Sequence, residues 1–398
     1  MLPESSHLPQ PDADAMAHSQ RLVTALRLAI AAAGGWLDFA GFMHGLLFQP
    51  GLGYYVAGAA RFQAAGDFTT APETGALFGR TLARTLAPLL AALPDGELIE
   101  PGAGSGRLAE VVLQELAALG ALPSRYAILE TSPALRAEQQ QRLARLPALL
   151  RQRLVWIDEL PAAFRGVLLA NEVLDAMPVH VLRRTAQGLL ERGVAVDGAG
   201  AFVWEERPAS ARMLAAVAQL AAVPIEGALF ELGVSARAWA RTLAASLQAG
   251  AVLLADYGDP ARALHQLHRA EGTLRCFYRH HVHGDPFFLP GLQDVTAHVD
   301  FSAVGAALRA GGLRLHDFDT QAAFLMAHGL LDCLDPSAAA GSLDWLRQTS
   351  ELQKLVSPAE MGESFKVLVA LRDPDGTLAG RLAGPGDAVS CLRLGIPE

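Results

Sequence analysis

From residue 98 onward, short apolar runs alternate with stretches of helical period. The runs are Leu98–Ile99, Tyr126–Leu129, Leu154–Ile157, Val167–Ala170, Ala251–Ala255, Leu313–Phe318 and Phe365–Leu371. Strands alternating with helical segments predict βαβ units around a parallel sheet of seven strands, an α/β fold. Three stretches break the alternation. Residues 180–206 hold Val179–Arg183, Gly188–Val196 and Phe202–Glu205, which predict a small added antiparallel piece. Residues 257–300 are rich in His, Pro and Gly, and 323–362 have a helical pattern. Before the sheet, residues 18–92 read as a helical cap broken by a Gly/aromatic loop around Pro50–Pro72. The expected plan is a flexible N-terminus (1–17), the cap (18–92), a core (93–372) carrying the three insertions, and a tail (373–398).

Composition narrows the function. A chain of 398 residues buries a large core as one domain with insertions, or as two domains. A net charge of −9 argues against a binder of nucleic-acid phosphates, which presents a basic face, and leaves room for a basic substrate. Cys276, Cys333 and Cys391 lie far apart, which is neither a disulfide framework nor a C-x-x-C metal site. A reducing compartment and a cytoplasmic location are therefore expected. Met1–Ala17 is polar, with neither the apolar core of a signal peptide nor an Arg-rich transit helix. No apolar run reaches the length of a membrane span.

The first apolar strand leads into Glu100-Pro101-Gly102-Ala103-Gly104-Ser105-Gly106, and a helix starts at Arg107. Glycine lets the backbone turn sharply and lets a ligand approach it closely, and the helix N-terminus points at that ligand. The dinucleotide fingerprint would need glycine at position 107, where arginine stands. Glu100 would repel a pyrophosphate but attract an ammonium or a sulfonium. S-adenosyl-L-methionine carries both, and the pattern resembles motif I of the methyltransferases that use it.

Ligands of such sheets sit outside the carboxyl ends of the strands. Glu130, after the second strand, suits two ribose hydroxyls. Asp158, after the third, is either a partner for the adenine amino group or a solvated loop acid. The fourth strand ends in Asn171-Glu172-Val173-Leu174-Asp175, a polar cluster that is costly beside a buried run unless paired or used. It would lie near the sulfonium and the incoming nucleophile, and a helix cap is compatible with that role. Asp256-Tyr257-Gly258 closes the fifth strand in the same way.

Several blocks, in order, are similar to the MidA-type methyltransferase-fold family, which includes the mitochondrial complex I assembly factor acting on arginine. They are Leu37-Asp38-Phe39, Pro50-Gly51-Leu52-Gly53-Tyr54-Tyr55, Gly66-Asp67-Phe68-Thr69-Thr70-Ala71-Pro72-Glu73, motif I, Glu130–Arg136, Asn171–Pro178, Leu254–Gly258, Asp294–Phe301 and Met361–Leu368. Two departures stand out. Ala71 replaces a frequent serine, and Ala103 replaces a frequent proline of motif I.

The resemblance implies a Rossmann-like seven-stranded class I methyltransferase fold with a helical N-terminal segment and insertions. It also implies S-adenosyl-L-methionine as cofactor and the block Gly66, Asp67, Phe68 as a lid over it. The cofactor site then comprises Gly66, Asp67, Phe68, Glu100, Gly102, Gly104, Gly106, Glu130, Asp158 and Asn171. Tyr54 and Tyr55 offer aromatic faces to a cation. The implied acceptor is an arginine of a protein partner of the respiratory complex I subunit type. Glu172 and Asp175 are the first candidates to hold the guanidinium charge and take its proton, with Asp67 and Glu73 as alternatives. A methyltransferase for a small molecule or another side chain, and a non-catalytic cofactor-binding assembly chaperone, are the competing readings. No metal, nucleic-acid partner or membrane insertion is expected from His280, His281 and His283 or elsewhere. The assembly state stays open, with a homodimer among the options. His298 and Asp300 would share one face of a strand, as an active-site pair or as a buried hydrogen bond.

Overall fold

A computed structural model of the chain describes residues 8–57, 70–266 and 269–397. Each of the seven apolar runs forms a strand of one sheet: β1 (Glu97–Pro101), β2 (Tyr126–Leu129), β3 (Leu154–Ile157), β4 (Phe164–Asn171), β5 (Leu247–Asp259), β6 (Arg314–Thr320) and β7 (Phe365–Arg372). Their spatial order is β3-β2-β1-β4-β5-β7-β6. Strands β1 to β5 pair in parallel, and β7 lies antiparallel between β5 and β6. A short strand, Val299–Asp300, extends the carboxyl end of β5.

Alternate residues of a strand face opposite sides, so the sheet has a core on each face. From β5, Ala251, Leu253 and Ala255 enter the layer formed with helices Leu77–Ala92 and Arg107–Ala118. Val252 and Leu254 enter the layer formed with helices Val234–Ser246 and Phe301–Ala310.

The centre of the sheet requires two glycines. Gly166 of β4 and Gly250 of β5 are register partners. A Cβ on Gly250 would lie 1.7 Å from the Gly166 carbonyl oxygen, at a φ of +134°. Gly250→Ala is therefore expected to cost about 3 kcal/mol, the upper range of overpacking, read as a fall in melting temperature.

The antiparallel piece expected at 180–206 is larger than its own segment. Strands His180–Thr185, Gly188–Val196 and Phe202–Pro208 are joined by Leu37–Asp38 from the cap and by Leu229–Leu232. A third sheet joins Arg275–Tyr278, His281–His283 and Asp294–Thr296 within the His/Pro/Gly insertion. Helix Ala13–Ala32 starts inside the stretch read as flexible, because the Asp12 side chain accepts from the Ala15 N–H at 2.8 Å. The tail carries helix Asp387–Leu394, fastened where Asp387 Oδ1 accepts from the Leu315 N–H at 2.7 Å. Among the described residues no helix is long and apolar enough to cross a membrane.

Candidate active site

A cleft of about 480 Å³ opens at the carboxyl ends of β1, β2 and β4. The turn after β1 forms its floor. Gly102, Gly104 and Gly106 have φ of +62°, +52° and +80°, which only glycine adopts without strain. The three are not equivalent. A Cβ on Gly102 would touch Val173 at 3.4 Å and one on Gly106 would touch Gln139 at 3.4 Å, but one on Gly104 would meet none of the described residues within 4 Å. Gly104 therefore presents bare backbone to the open cleft.

Two buried carboxyl groups stand beside this turn. Glu100 accepts from the Tyr126 hydroxyl at 2.6 Å. Burial pushes its pKa up to about 7, against the pull of the Tyr126 hydrogen bond and with help from the Glu130 charge. Glu130 Oε1 accepts from the Ser132 N–H at 2.8 Å, and Oε2 accepts from Gln139 Nε2 at 3.0 Å. Gln139 is itself fixed, donating to the Gly104 carbonyl and accepting from Trp156 Nε1, each at 3.0 Å. These bonds aim the Glu130 carboxylate into the cleft and leave lone pairs for a ligand diol. Burial raises its pKa in spite of these donors.

Asp158 is a correction. It does not line the cleft. Its side chain is 84% exposed and pairs with Arg136 at 2.6 Å. Arg136 extends from helix Pro133–Leu143 and draws the carboxylate outward.

The acidic turn after β4 forms the far wall. Glu172 has φ +52°, a sparsely populated backbone for a non-glycine residue, of the kind that collects at functional sites. Asp256 holds that backbone. Its Oδ2 accepts from the N–H groups of Val173, Leu174 and Asp175 at 3.1, 2.8 and 3.3 Å. Glu172 lines the cleft. One carboxylate oxygen accepts from Asn171 Nδ2 at 2.9 Å, and the other is buried without a hydrogen-bond partner among the described residues. Burial first, then the charges of Asp175 and Asp294, push its pKa up to about 8, against the hydrogen bond from Asn171.

Asp175 is the second correction. The same turn that presents Glu172 sends Asp175 behind the wall, beside Tyr257, and it does not line the cleft. It is 2% exposed, and burial pushes its pKa up to about 6.

A third acid reaches the cleft from the small third sheet. Asp294 accepts the Tyr55 hydroxyl on both oxygens, at 2.9 and 3.0 Å. The sequence pointed to it only through a similar block, since a three-residue strand inside a loop-rich insertion carries little periodic signal. Tyr55 stacks on Phe48 at 5.6 Å and meets Tyr54 edge-on at 5.0 Å, so the cap supplies an aromatic wall. Among the described residues no Lys or Arg forms an ion pair with Glu172, Asp175 or Asp256. Buried acids and aromatic faces on one cleft suit a positively charged guest.

Glu73 lines the cleft from helix Ala71–Thr74, where its carboxylate accepts from the Ser105 hydroxyl; it sits against the glycine turn. Gly66, Asp67 and Phe68 lie outside the described residues. His298 and Asp300 do not pair. Asp300 Oδ1 caps helix Phe301–Ala310 through the Ala303 N–H at 3.0 Å, and His298 Nδ1 lies 3.3 Å from an Arg269 nitrogen. Arg279 and His280 make the tight turn before His281–His283, both at positive φ.

A family model described as "putative S-adenosyl-L-methionine-dependent methyltransferase" matches residues 81–319. A crystal structure of a Burkholderia thailandensis protein bound to S-adenosyl-homocysteine is 44% identical, with a TM-score of 0.86 over 95% of this chain and 98% of that one. The chain is 29% identical to "protein arginine methyltransferase NDUFAF7, mitochondrial" of Danio rerio, over 85% of this chain and 84% of the relative. It is 27% identical to the Homo sapiens protein of that name, over 85% and 80%.

Proposed function

The chain belongs to the S-adenosyl-L-methionine-dependent methyltransferase family matched over residues 81–319, and on that premise we propose that its acceptor is an arginine side chain of a protein partner. When bound, the cofactor supplies an electrophilic methyl group on a sulfonium. The cleft suits it. Gly104 leaves room at the backbone, Glu130 can accept two ribose hydroxyls, and Glu100 stands where the cofactor's positive charges would be met. Gly102 and Asn171, which line the cleft, complete the proposed cofactor set, and Gly106, packed on Gln139, shapes the turn beside them.

One observation carries the arginine reading. Glu172 and Asp294 converge on one cleft wall, with a carboxylate oxygen of Glu172 buried and unpartnered. Two carboxylates in this place would hold a guanidinium on one side, by Nε and one terminal nitrogen, and leave the other terminal nitrogen free to attack the methyl group and release a proton. They also orient it, which is a large part of what a transferase contributes. Tyr54, Tyr55 and Phe48 keep water from the cation and cover its face. The unpartnered oxygen of Glu172 is the acceptor for the proton released on transfer. Asp175 tunes that group by its charge from behind the wall. The names of the curated relatives support the same acceptor, and the family resemblance makes a respiratory complex I subunit the first protein to test.

Incubation of the chain with methyl-labelled cofactor and host proteins is expected to place label on arginine of one or a few proteins, identified by mass spectrometry. Label confined to small molecules, or to another side chain, overturns the arginine assignment. Glu130→Ala is expected to weaken cofactor binding by about 1.5–3 kcal/mol, the scale of hydrogen bonds to a charged group, as measured by calorimetry. Adenosine should lose affinity in parallel. If 2′,3′-dideoxyadenosine competes as well as adenosine against the native protein, Glu130 does not hold the ribose.

A further inference from the structure

Helix Leu343–Val356 turns an apolar face to solvent beside the cleft. Leu343, Leu346 and Trp345 are 71%, 50% and 40% exposed. Leu343, Leu346, Arg347 and Lys354 recur at helical spacing on one face, and with Thr74 and Glu351 they line a groove of about 310 Å³.

This groove shares a wall with the cleft. Thr74 directly follows Glu73, which lines the cleft and holds Ser105. Glu351 fastens the helix to that wall. Its Oε1 accepts from the Leu77 N–H at 2.6 Å, and its carboxylate packs so closely on Gly75 that a Cβ there would lie 2.0 Å from Oε2. A polypeptide that put a side chain into the cleft over this rim would lie along the groove.

The charge on the groove is specific. The chain is acidic and has two lysines, Lys354 and Lys366. Lys366 is spent on Asp259 at 3.0 Å. Lys354 has no ion-pair partner among the described residues. Arg347 has Asp344 at 3.5 Å, with both side chains more than 75% exposed, a pair of little strength. The wall is thus apolar with two available cations, inside a protein whose net charge is −9.

We propose that this groove binds the stretch of the protein acceptor that flanks its methylated arginine, an extended segment carrying an apolar and an acidic residue. The inference rests on the arginine reading of the cleft. The apolar side chain covers Leu343 and Leu346, and the carboxylate meets Lys354 or Arg347. From Leu343 to Lys354 the helix spans about 16 Å, enough for about five extended residues. Side chains flanking an acceptor add affinity without entering the chemistry, so the groove acts on KM rather than on kcat.

The test uses the full chain, methyl-labelled S-adenosyl-L-methionine and host protein extract, comparing the native protein with Leu343→Asp/Leu346→Asp, Lys354→Glu and Leu346→Met. The double variant should incorporate at least tenfold less label into arginine at low extract concentration and recover as extract is raised. Lys354→Glu should lose several-fold, and Leu346→Met should match the native protein. Cofactor affinity and melting temperature should not move in any of them. Lys354→Glu, a surface change, keeps the test decisive if the double variant folds poorly. Equal arginine labelling by native and variant chains overturns the groove and leaves the arginine reading standing. No arginine labelling by the native chain overturns both. A native dimer that becomes a monomer in the double variant, by sedimentation, assigns the face to a second copy and also overturns the proposal.

Discussion

Glu172→Gln is expected to leave cofactor affinity within a few-fold of the native value and to lower turnover by about a hundredfold or more, the scale of general acid–base catalysis. Glutamine fits the same space and still accepts from Asn171, so the turn held by Asp256 survives. What is lost is a charge beside the acceptor and a site for its proton. Cofactor affinity stays because the contacts proposed for the cofactor run to Glu100, Glu130 and the glycine turn and not to the Glu172 carboxylate. The same group sets a pH dependence. Its pKa in the free protein is raised to about 8, so at neutral pH most molecules carry it protonated and unable to take a proton. kcat/KM, which reports the free protein, should therefore rise with pH up to about 8 and then level off. Glu172→Gln should abolish that rise. A variant with full turnover and an unchanged pH profile moves the base to Asp294, or to Asp67 or Glu73 in the cap.

The strands of the sheet were legible because buried strands read as largely apolar runs whatever their neighbours, but the runs alone did not show that β7 pairs antiparallel with β5 and β6. The small sheet was legible only in its local hairpin. Leu37–Asp38 is a two-residue strand that pairs with Gly193 and Val194, a contact no local pattern announces. Among the cleft-lining residues, Gly104 and Glu130 could be read because motif spacing alone places them just after strand ends. Asp175 could not. Whether Glu172 or Asp175 faces the cleft depends on one left-handed φ and on three N–H bonds to Asp256, eighty residues away. Asp158 was lost to Arg136, a helix residue whose reach depends on tertiary placement. Gln139 carried no signal, since a lone glutamine on a helix is ordinarily solvated, yet it joins the glycine turn, Glu130 and Trp156.

Gly104→Val is expected to abolish measurable binding of both S-adenosyl-L-methionine and S-adenosyl-homocysteine. Two effects act together. The valine side chain would enter the open space above the turn, where the cofactor backbone must approach. A φ of +52° is also hostile to a β-branched residue, so the turn would shift away from its ligand-ready form. None of the described residues lies within 4 Å of the added Cβ, so the protein itself should tolerate the change, losing about 1–3 kcal/mol from backbone strain. The contrast with Gly106 is informative. A Cβ there would press on Gln139, the residue that aims Glu130, so Gly106→Val should lose stability and binding together. Calorimetry on folded Gly104→Val, with circular dichroism and thermal melting alongside, separates these cases. Retained affinity in a folded Gly104→Val protein would place the cofactor elsewhere, because a ligand that tolerates an isopropyl group there cannot lie against the turn.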